Sequence, residues 1–223
     1  MGRDRAALRR ATTTMPLHQR LIFLHTWRVY LDMTAITKFS MRFPKSKIPY
    51  WAERYCSNQG DDSAEVLAGD HARAAGFYTR DDFLLVCEWK SRGRPRRHYQ
   101  RNSDEDVRRQ SAIALTSGDE STRIWSLDTL RGVGLRTATA LLHLASEPCR
   151  AAAAGNSYPI IDVRALWSLR CEYRETFKLW WSYVLACRAL AVECRVSMRD
   201  LDRALWEYSF ETQRGVKCTK LTS

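Results

Sequence analysis

The chain has 223 residues, with 36 Lys and Arg against 25 Asp and Glu, so its formal net charge is +11. This length permits one domain or two small lobes around a shared core, and eight tryptophans in a 45% hydrophobic chain exclude wholesale disorder. The basic balance favours a polyanionic partner such as nucleic acid. No run of 18 apolar residues predicts a membrane span, and no apolar segment follows the Arg-rich start as in a secretory signal, so we expect a cytoplasmic protein.

Ten segments carry apolar residues at helical spacing and are separated by Gly-, Pro- or Ser-containing breaks, whereas no segment alternates as a strand does. Residues 1–14 form a basic segment that we predict to be a mobile tail, and the segment from Arg92 to Arg101 is predicted to be a positively charged loop. In chain order, the predicted helices are Leu17–Phe39, Tyr50–Cys56, Ser63–Ala75, Thr79–Lys90, Ser103–Thr116, Asp119–Leu130, Leu135–Ser146, Val163–Leu169, Arg174–Cys194 and Met198–Phe210. The sequence therefore predicts an all-α fold.

The cysteines and histidines predict no metal site. Seven cysteines at irregular spacing indicate reduced thiols rather than a disulfide framework. Cys187 and Cys194 have the spacing of the first pair in some iron–sulfur loops, but no further ligands follow at short spacing, and position 197 is a serine. The five histidines form no ligand pattern with cysteines or carboxylates. We therefore expect no metal and no iron–sulfur cluster.

The most informative local pattern is Gly132-Val133-Gly134, between the predicted helices Asp119–Leu130 and Leu135–Ser146. Glycines permit a tight turn and a close approach of the backbone to a ligand. The first N–H groups of the second helix have no intrahelical partner, and a phosphate can satisfy them. A plain turn between packed helices would use the same residues.

A single carboxylate, Asp162, stands between the apolar run Pro159-Ile160-Ile161 and the predicted helix Val163–Leu169. An aspartate in this position is commonly a helix N-cap. After a phosphate-binding hairpin, it also suggests chemistry on nucleic acid.

Together and in this order, the two features resemble the helix-hairpin-helix DNA glycosylase superfamily, which includes relatives of endonuclease III, adenine glycosylase and alkyladenine glycosylase. The family hairpin reads Leu-Pro-Gly-Val-Gly-x-Lys-Thr-Ala and precedes a catalytic aspartate; this chain has Leu130-Arg131-Gly132-Val133-Gly134-Leu135-Arg136-Thr137-Ala138. The resemblance covers Trp125–Leu169. It implies one two-lobed helical glycosylase domain over residues 15–215, with the hairpin lobe at about 119–170.

The resemblance also implies the chemistry. A base must leave the duplex stack before an enzyme reaches its glycosidic bond. The catalytic residue would be Asp162, whose carboxylate stabilises the oxocarbenium-like sugar and orients water. The hairpin would hold the DNA backbone, with Val133 as an apolar plug at its tip. The implied DNA-binding residues of the hairpin are Arg131, Gly132, Val133, Gly134, Arg136 and Thr137.

Three departures from the family pattern stand out. Bifunctional members carry lysine where this chain has Arg136, and a guanidinium cannot lose its proton to attack C1′. We therefore predict a monofunctional glycosylase that uses water and leaves an abasic site. Arg131 replaces the usual proline and adds charge, and the link from Arg136 to Asp162 is longer than in the family.

The basic loop and several aromatic residues complete the predicted site. We expect Arg92, Arg94, Arg96 and Arg97 to contact phosphates; a solvated loop is the alternative. Candidates for the base pocket are Trp89, Lys90, Tyr50 and Trp51, although the aromatic residues among them would equally serve in a core, and Lys90 is a candidate amine nucleophile.

The predicted substrate is double-stranded DNA carrying a damaged base or an enzymatically modified base, such as one in foreign or phage DNA. We expect a monomer associated with the nucleoid of a bacterial or phage-related system, without a cofactor; a monovalent cation at the hairpin stays open. Two alternatives remain: a non-catalytic helix-hairpin-helix DNA-binding protein, and a bifunctional glycosylase/lyase that uses another amine.

Overall fold

The computed structural model describes residues 39–92, 96–146 and 157–213. Within these ranges all regular structure is helical and no strand occurs, which confirms the predicted all-α class. The predicted tail at 1–14, most of the predicted helix Leu17–Phe39, and Arg94 lie outside the described residues. A short 3-10 helix, Lys45–Lys47, precedes the α-helices, which we number α1 (Ile48–Gln59), α2 (Ser63–Ala75), α3 (Arg80–Ser91), α4 (Arg96–Tyr99), α5 (Asp104–Thr116), α6 (Glu120–Asp128), α7 (Leu135–Ala145), α8 (Val163–Ser168), α9 (Phe177–Cys194) and α10 (Met198–Thr212).

Side-chain caps fix where most of these helices begin. Each cap oxygen accepts a hydrogen bond from a backbone N–H of the first turn, which has no partner within the helix. The capping residues are Thr79, Ser103, Asp119, Asp162, Thr176 and Ser197. The cap at Thr176 starts α9 at Phe177, three residues later than the sequence predicts.

The predicted loop Arg92–Arg101 is wrong in part, because it contains the helical turn α4. Tyr99, the last residue of α4, is buried and meets the Phe83 ring edge-on, with centroids 6.2 Å apart. Burial of this aromatic ring holds the chain in a helical turn where charge and glycine content predict a loop.

The helix α7 lies at the centre of the fold, and all of its residues except Arg136 are buried. It packs against α2, α3 and α6. At Gly69 of α2 the backbone approaches the Leu144 carbonyl so closely that a β-carbon there would overlap it. The contact explains a glycine inside a helix, where it otherwise lowers stability.

The last helix, α10, packs against both α1 and α8. This places its buried carboxylate Asp202 beside the extended residues that lead into α8. Among the described residues, no helix combines the length and apolar character needed to cross a membrane.

Candidate active site

The hairpin between α6 and α7 is a tight turn whose glycine is required by its neighbours. Gly132 has φ 85°, in the left-handed region, and the Val133 N–H donates to the Leu130 carbonyl at 3.0 Å. A β-carbon at position 132 would lie 2.9 Å from His98 Cβ and 3.0 Å from the Tyr99 ring. The hairpin is therefore held against α4, which brings the basic segment to its side.

The start of α7 already has an anion near it. The Leu135 N–H donates to Oε1 of Glu175 at 3.3 Å, while the N–H groups of Thr137 and Ala138 donate to the Gly134 carbonyl at 2.9 Å. The N–H groups of Gly134 and Arg136 make no hydrogen bond within the described part of the chain. These two groups are the ones available to a phosphate.

Two hairpin residues lie below the surface, contrary to the sequence prediction. Val133, predicted to be an apolar plug at the hairpin tip, is 6% exposed and therefore lies in the core in the chain without DNA. Thr137 is 7% exposed, its N–H is used by Gly134, and its hydroxyl lies 3.5 Å from that of Tyr99. Thr137 therefore packs within the core, where its side chain is not open to a DNA contact. Arg131 and Arg136, the two predicted DNA-binding arginines of the hairpin, are exposed.

The extended segment before Asp162 is anchored on both sides, which fixes the position of the carboxylate. The buried backbone groups of this segment are paired with side chains of α7, α9 and α10, as buried polar groups must be. The Ile161 N–H donates to Thr139 Oγ1 at 3.2 Å, the Ile160 N–H donates to Asp202 Oδ1 at 3.2 Å, and the Tyr183 hydroxyl donates to the Ile160 carbonyl at 3.2 Å.

Asp162 has two roles in the structure. Its Oδ1 accepts the Arg164 N–H at 3.0 Å as the N-cap of α8, and its Oδ2 accepts from Lys90 Nζ at 2.9 Å. The side chains of Lys90 and Asp162 are only 12% and 15% exposed. We call these two residues the Lys90–Asp162 pair; it joins the end of α3 to the start of α8.

The electrostatics keep Asp162 ionised. Burial favours the protonated acid, but it is outweighed by the charge and hydrogen bond of Lys90, the Arg164 N–H and the charge of Arg136, so the pKa of Asp162 is lowered from 3.8. The hairpin thus contributes to the field at the carboxylate through Arg136. A group that carries negative charge at neutral pH in a largely dry site is suited to stabilising a developing cation.

Between the hairpin and the pair lies the segment that links α8 to α9. The guanidinium carbon of Arg136 lies 5.8 Å from the centroid of the Tyr173 ring. Burial, together with the charge of Glu175, raises the pKa of Tyr173 to about 12, so its phenol stays neutral. Sequence reasoning missed Tyr173 and Glu175, because a short polar connection between two helices carries no motif.

A buried charged network lies behind the pair. The Arg199 guanidinium is hydrogen-bonded to Asp62 and lies 3.5 Å from Asp202 Oδ2, and Arg203 donates to the same Asp62 at 2.8 Å. Burial raises the pKa of Asp202 to about 6, although Arg199 opposes this shift. Burial and the charge of Arg199 lower the pKa of His143 to about 3. These residues were also missed, although Arg199 and Asp202 stand three apart on one face of a predicted helix.

The predicted base-pocket residues separate into two groups. Trp89 is next to Lys90, and the Arg199 guanidinium lies 5.5 Å from its ring centroid. Tyr50 and Trp51 instead meet each other edge-on, and the contacts of Trp51 run to Phe43 and Tyr208. None of these described contacts reaches the Lys90–Asp162 pair, so the structure does not bring Tyr50 and Trp51 to it.

Of the predicted phosphate-binding arginines, the three that the structure describes are exposed. Arg92 ends α3 with φ 54°, Arg96 forms an ion pair with Glu88 at 3.0 Å, and Arg97 lies on the surface of α4. Because α4 packs against the hairpin, these charges share a side of the molecule with Gly132.

Among the described residues, no group of three or more His, Cys, Asp or Glu side chains could hold a metal ion. Cys187 is buried as a free thiol, and burial raises its pKa.

Comparison of the chain with protein-family models, curated proteins and solved structures finds no match.

Proposed function

We propose that the chain is a DNA N-glycosylase whose catalytic carboxylate is Asp162. The observation that carries this proposal is a largely buried, ionised aspartate at a helix start, whose preceding residue Ile161 is hydrogen-bonded to the helix that follows a Gly-Val-Gly hairpin. The finer fold, a two-lobed helix-hairpin-helix glycosylase domain, is part of the same proposal.

The proposed reaction is hydrolysis of the N-glycosidic bond of a base that has been flipped out of the duplex. As the bond breaks, positive charge develops on the sugar ring, and the Asp162 carboxylate stabilises it and orients the attacking water. The products are the free base and an abasic site. A guanidinium such as that of Arg136 does not serve as a nucleophile, so base release in this scheme uses water.

The hairpin and the basic segment supply the DNA contacts in this proposal. The free N–H groups of Gly134 and Arg136 would bind a backbone phosphate, with Arg131 beside them. Arg92, Arg96 and Arg97 would extend the contact along the backbone. Such contacts fix the register of the protein on the duplex and carry no sequence information. The proposed substrate is a duplex that contains a damaged or enzymatically modified base.

A second function is favoured by a specific observation. Both carboxylate oxygens of Asp162 have structural partners, the Arg164 N–H and Lys90 Nζ. An aspartate that only caps α8 and pairs with α3 would suit a non-catalytic helix-hairpin-helix DNA-binding protein equally well.

The substitution Asp162→Asn separates the two functions, because asparagine caps helices about as well as aspartate, while the change removes the negative charge and the oxygen that accepts from Lys90. Release of free base from a panel of modified duplex DNAs is measured by mass spectrometry, and DNA binding is measured in parallel. The glycosylase proposal expects base release to fall by about 100-fold or more while binding survives.

A matched control is Asp119→Asn, since Asp119 is likewise a helix N-cap, and its carboxylate accepts from Ser121 and from the Thr122 N–H of α6. This variant should release base as the unsubstituted chain does. Binding without base release by the unsubstituted chain across the whole panel would support the non-catalytic alternative instead.

A further inference from the structure

Two aromatic rings of α10 stack on each other at the surface of the molecule. Trp206 and Phe210 are neighbours on one face of the helix, and their rings are nearly parallel, at 17°, with centroids 5.0 Å apart. Tyr55 of α1 meets the Trp206 ring edge-on, with centroids 5.7 Å apart, and supports it. We call Trp206 and Phe210 the Trp206–Phe210 stack.

The second ring of this stack is open to solvent. Phe210 is 44% exposed, whereas Trp206 is partly buried. A single exposed aromatic ring is common on protein surfaces. Phe210 differs from such a ring because it continues an existing stack, and aromatic rings favour parallel, offset neighbours. The exposed ring therefore offers surface on which a further flat group can stack.

A guanidinium lies at both rings of the stack. The Arg164 Cζ atom is 5.3 Å from the ring centroid of Trp206 and 5.2 Å from that of Phe210, within the range of a cation–π contact. Among the described residues, the Arg164 side chain has no carboxylate partner. Its positive charge is therefore available to an anion beside the rings.

The same arginine connects the stack to the proposed catalytic carboxylate. The Arg164 backbone N–H donates to Asp162 Oδ1 at 3.0 Å, while its side chain lies at the rings of α10. The Trp206–Phe210 stack therefore borders the proposed site, and the two form one continuous surface.

The acidic residues of α10 on either side of Phe210 already have partners. Glu211 forms an ion pair with Arg54 at 2.7 Å, and the buried Glu207 accepts from Asn58 Nδ2 at 2.6 Å. The charge without a compensating partner beside the rings is thus the positive charge of Arg164. An open aromatic ring next to a free guanidinium matches one nucleotide, with its base on the ring and its phosphate at the arginine.

We propose that the Trp206–Phe210 stack binds an unpaired DNA base, which stacks on Phe210 while its phosphate contacts Arg164. This inference goes beyond base release from a duplex, because it gives the chain a second ligand, single-stranded DNA. A base inside a duplex is covered by its neighbours, so this site selects unpaired nucleotides. Every base has a flat face, so we expect little sequence preference.

The experiment uses the full chain with two probes, a short fluorescent oligothymidylate and a duplex of the same length, and measures binding by fluorescence anisotropy. Phe210→Leu keeps an apolar side chain against Trp206 but removes the ring, whereas Phe210→Tyr keeps the ring. The matched control is Phe77→Leu, because Phe77 also lies under a guanidinium, with Arg108 Cζ 4.3 Å from its ring centroid.

We expect Phe210→Leu to weaken binding of the single strand by about fivefold to 100-fold, while Phe210→Tyr and Phe77→Leu stay within about twofold of the unsubstituted chain. Duplex binding should change by less than about twofold in all three variants. Unchanged single-strand binding in Phe210→Leu would overturn the inference and favour a protein as the occupant of the stack. Equal losses in Phe210→Leu and Phe210→Tyr, or an equal loss for the duplex, would also overturn it.

The phosphate contact is tested by Arg164→Gln, which leaves the backbone N–H at Asp162 in place. Removing one cation that contacts a phosphate of a single strand should make the slope of log K against log salt shallower by about 0.7. An unchanged slope would overturn the role assigned to Arg164.

These measurements require no base release, so they are separate from the test of the proposed function. A loss of single-strand binding in Phe210→Leu, together with no base release from any DNA, would support this inference and count against the glycosylase proposal. Base release by a chain whose single-strand binding does not depend on Phe210 would do the reverse.

Discussion

The hairpin and the Lys90–Asp162 pair represent two kinds of charged site. At the hairpin, Arg131 and Arg136 are exposed, and the helix start is only partly satisfied by the exposed residue Glu175. At the pair, both charges are largely buried and held by hydrogen bonds. The difference indicates that a phosphate could replace the Glu175 carboxylate at the hairpin. At the pair, the Asp162 carboxylate is instead held in one position, as a catalytic group must be.

The largest expected effect on stability comes from removing one partner of the buried pair. Lys90→Met leaves the Asp162 carboxylate buried without its ammonium, and breaking such a pair costs about 3 kcal/mol of unfolding free energy. Urea denaturation measures it. The control Arg96→Met removes an exposed ion pair with Glu88 and should cost less than about 1 kcal/mol. Similar losses in the two variants would contradict the contrast.

The next effect tests the hairpin backbone. Gly132→Ala combines a left-handed φ of 85° with overlap against His98 and Tyr99, so we expect a loss of about 2 kcal/mol in thermal or urea unfolding. Gly76 also has a left-handed φ, 78°, but has open space around it. The control Gly76→Ala therefore measures the cost of backbone strain without any overlap. Equal losses in the two variants would show that α4 does not restrain the hairpin.

The network behind the pair predicts a pH dependence. The pKa of Asp202 is raised from 3.8 to about 6, so its contribution to folding is present below pH 3.8 and is lost as the pH rises through about 6. The pKa of His143 is lowered from 6.5 to about 3, so its contribution is present above pH 6.5 and is lost as the pH falls toward 3. The two contributions oppose each other between about pH 4 and 6.

The substitution Asp202→Asn removes the contribution of Asp202 and leaves that of His143. The unfolding free energy of the variant, measured by urea denaturation at several pH values, should therefore fall more steeply on acidification between about pH 6 and 4 than that of the unsubstituted chain. Parallel pH profiles would show that Asp202 titrates alike in the folded and unfolded chain.

The smallest expected effect concerns the anion at the hairpin. Glu175 occupies the Leu135 N–H, so Glu175→Gln should strengthen binding to an unmodified duplex by about two- to fivefold at low salt, the size of a charge effect at a helix end. Glu172→Gln, on the same connecting segment, is the control. Weaker binding by Glu175→Gln would mean that the carboxylate supports the hairpin rather than competing with a phosphate.

Much of the helical framework follows from local signals. Caps such as Ser103 and Asp119 and breaks such as Gly76 fix helix ends through backbone hydrogen bonds, which depend on neighbours in sequence. The turn α4 was missed because it depends on the burial of Tyr99, which is a tertiary contact.

The candidate site was predictable only where chemistry has a sequence pattern. The glycines of the hairpin and Asp162 stand in such a pattern, whereas the contact of Lys90 with Asp162 spans 72 positions of the chain. The burial of Val133 could not be predicted, because a valine at a turn has no local signal that separates exposure from burial. Arg199 and Asp202 were missed because their role depends on how α10 packs.

Release of free base most directly tests the central claim that Asp162 is a catalytic carboxylate. Modified duplex DNAs are incubated with the unsubstituted chain and with Asp162→Asn at concentrations that give equal DNA occupancy, and the released bases are measured by mass spectrometry. Our account predicts release of at least one modified base by the unsubstituted chain and a loss of about 100-fold or more in the variant. Equal release by both proteins at equal occupancy would contradict it.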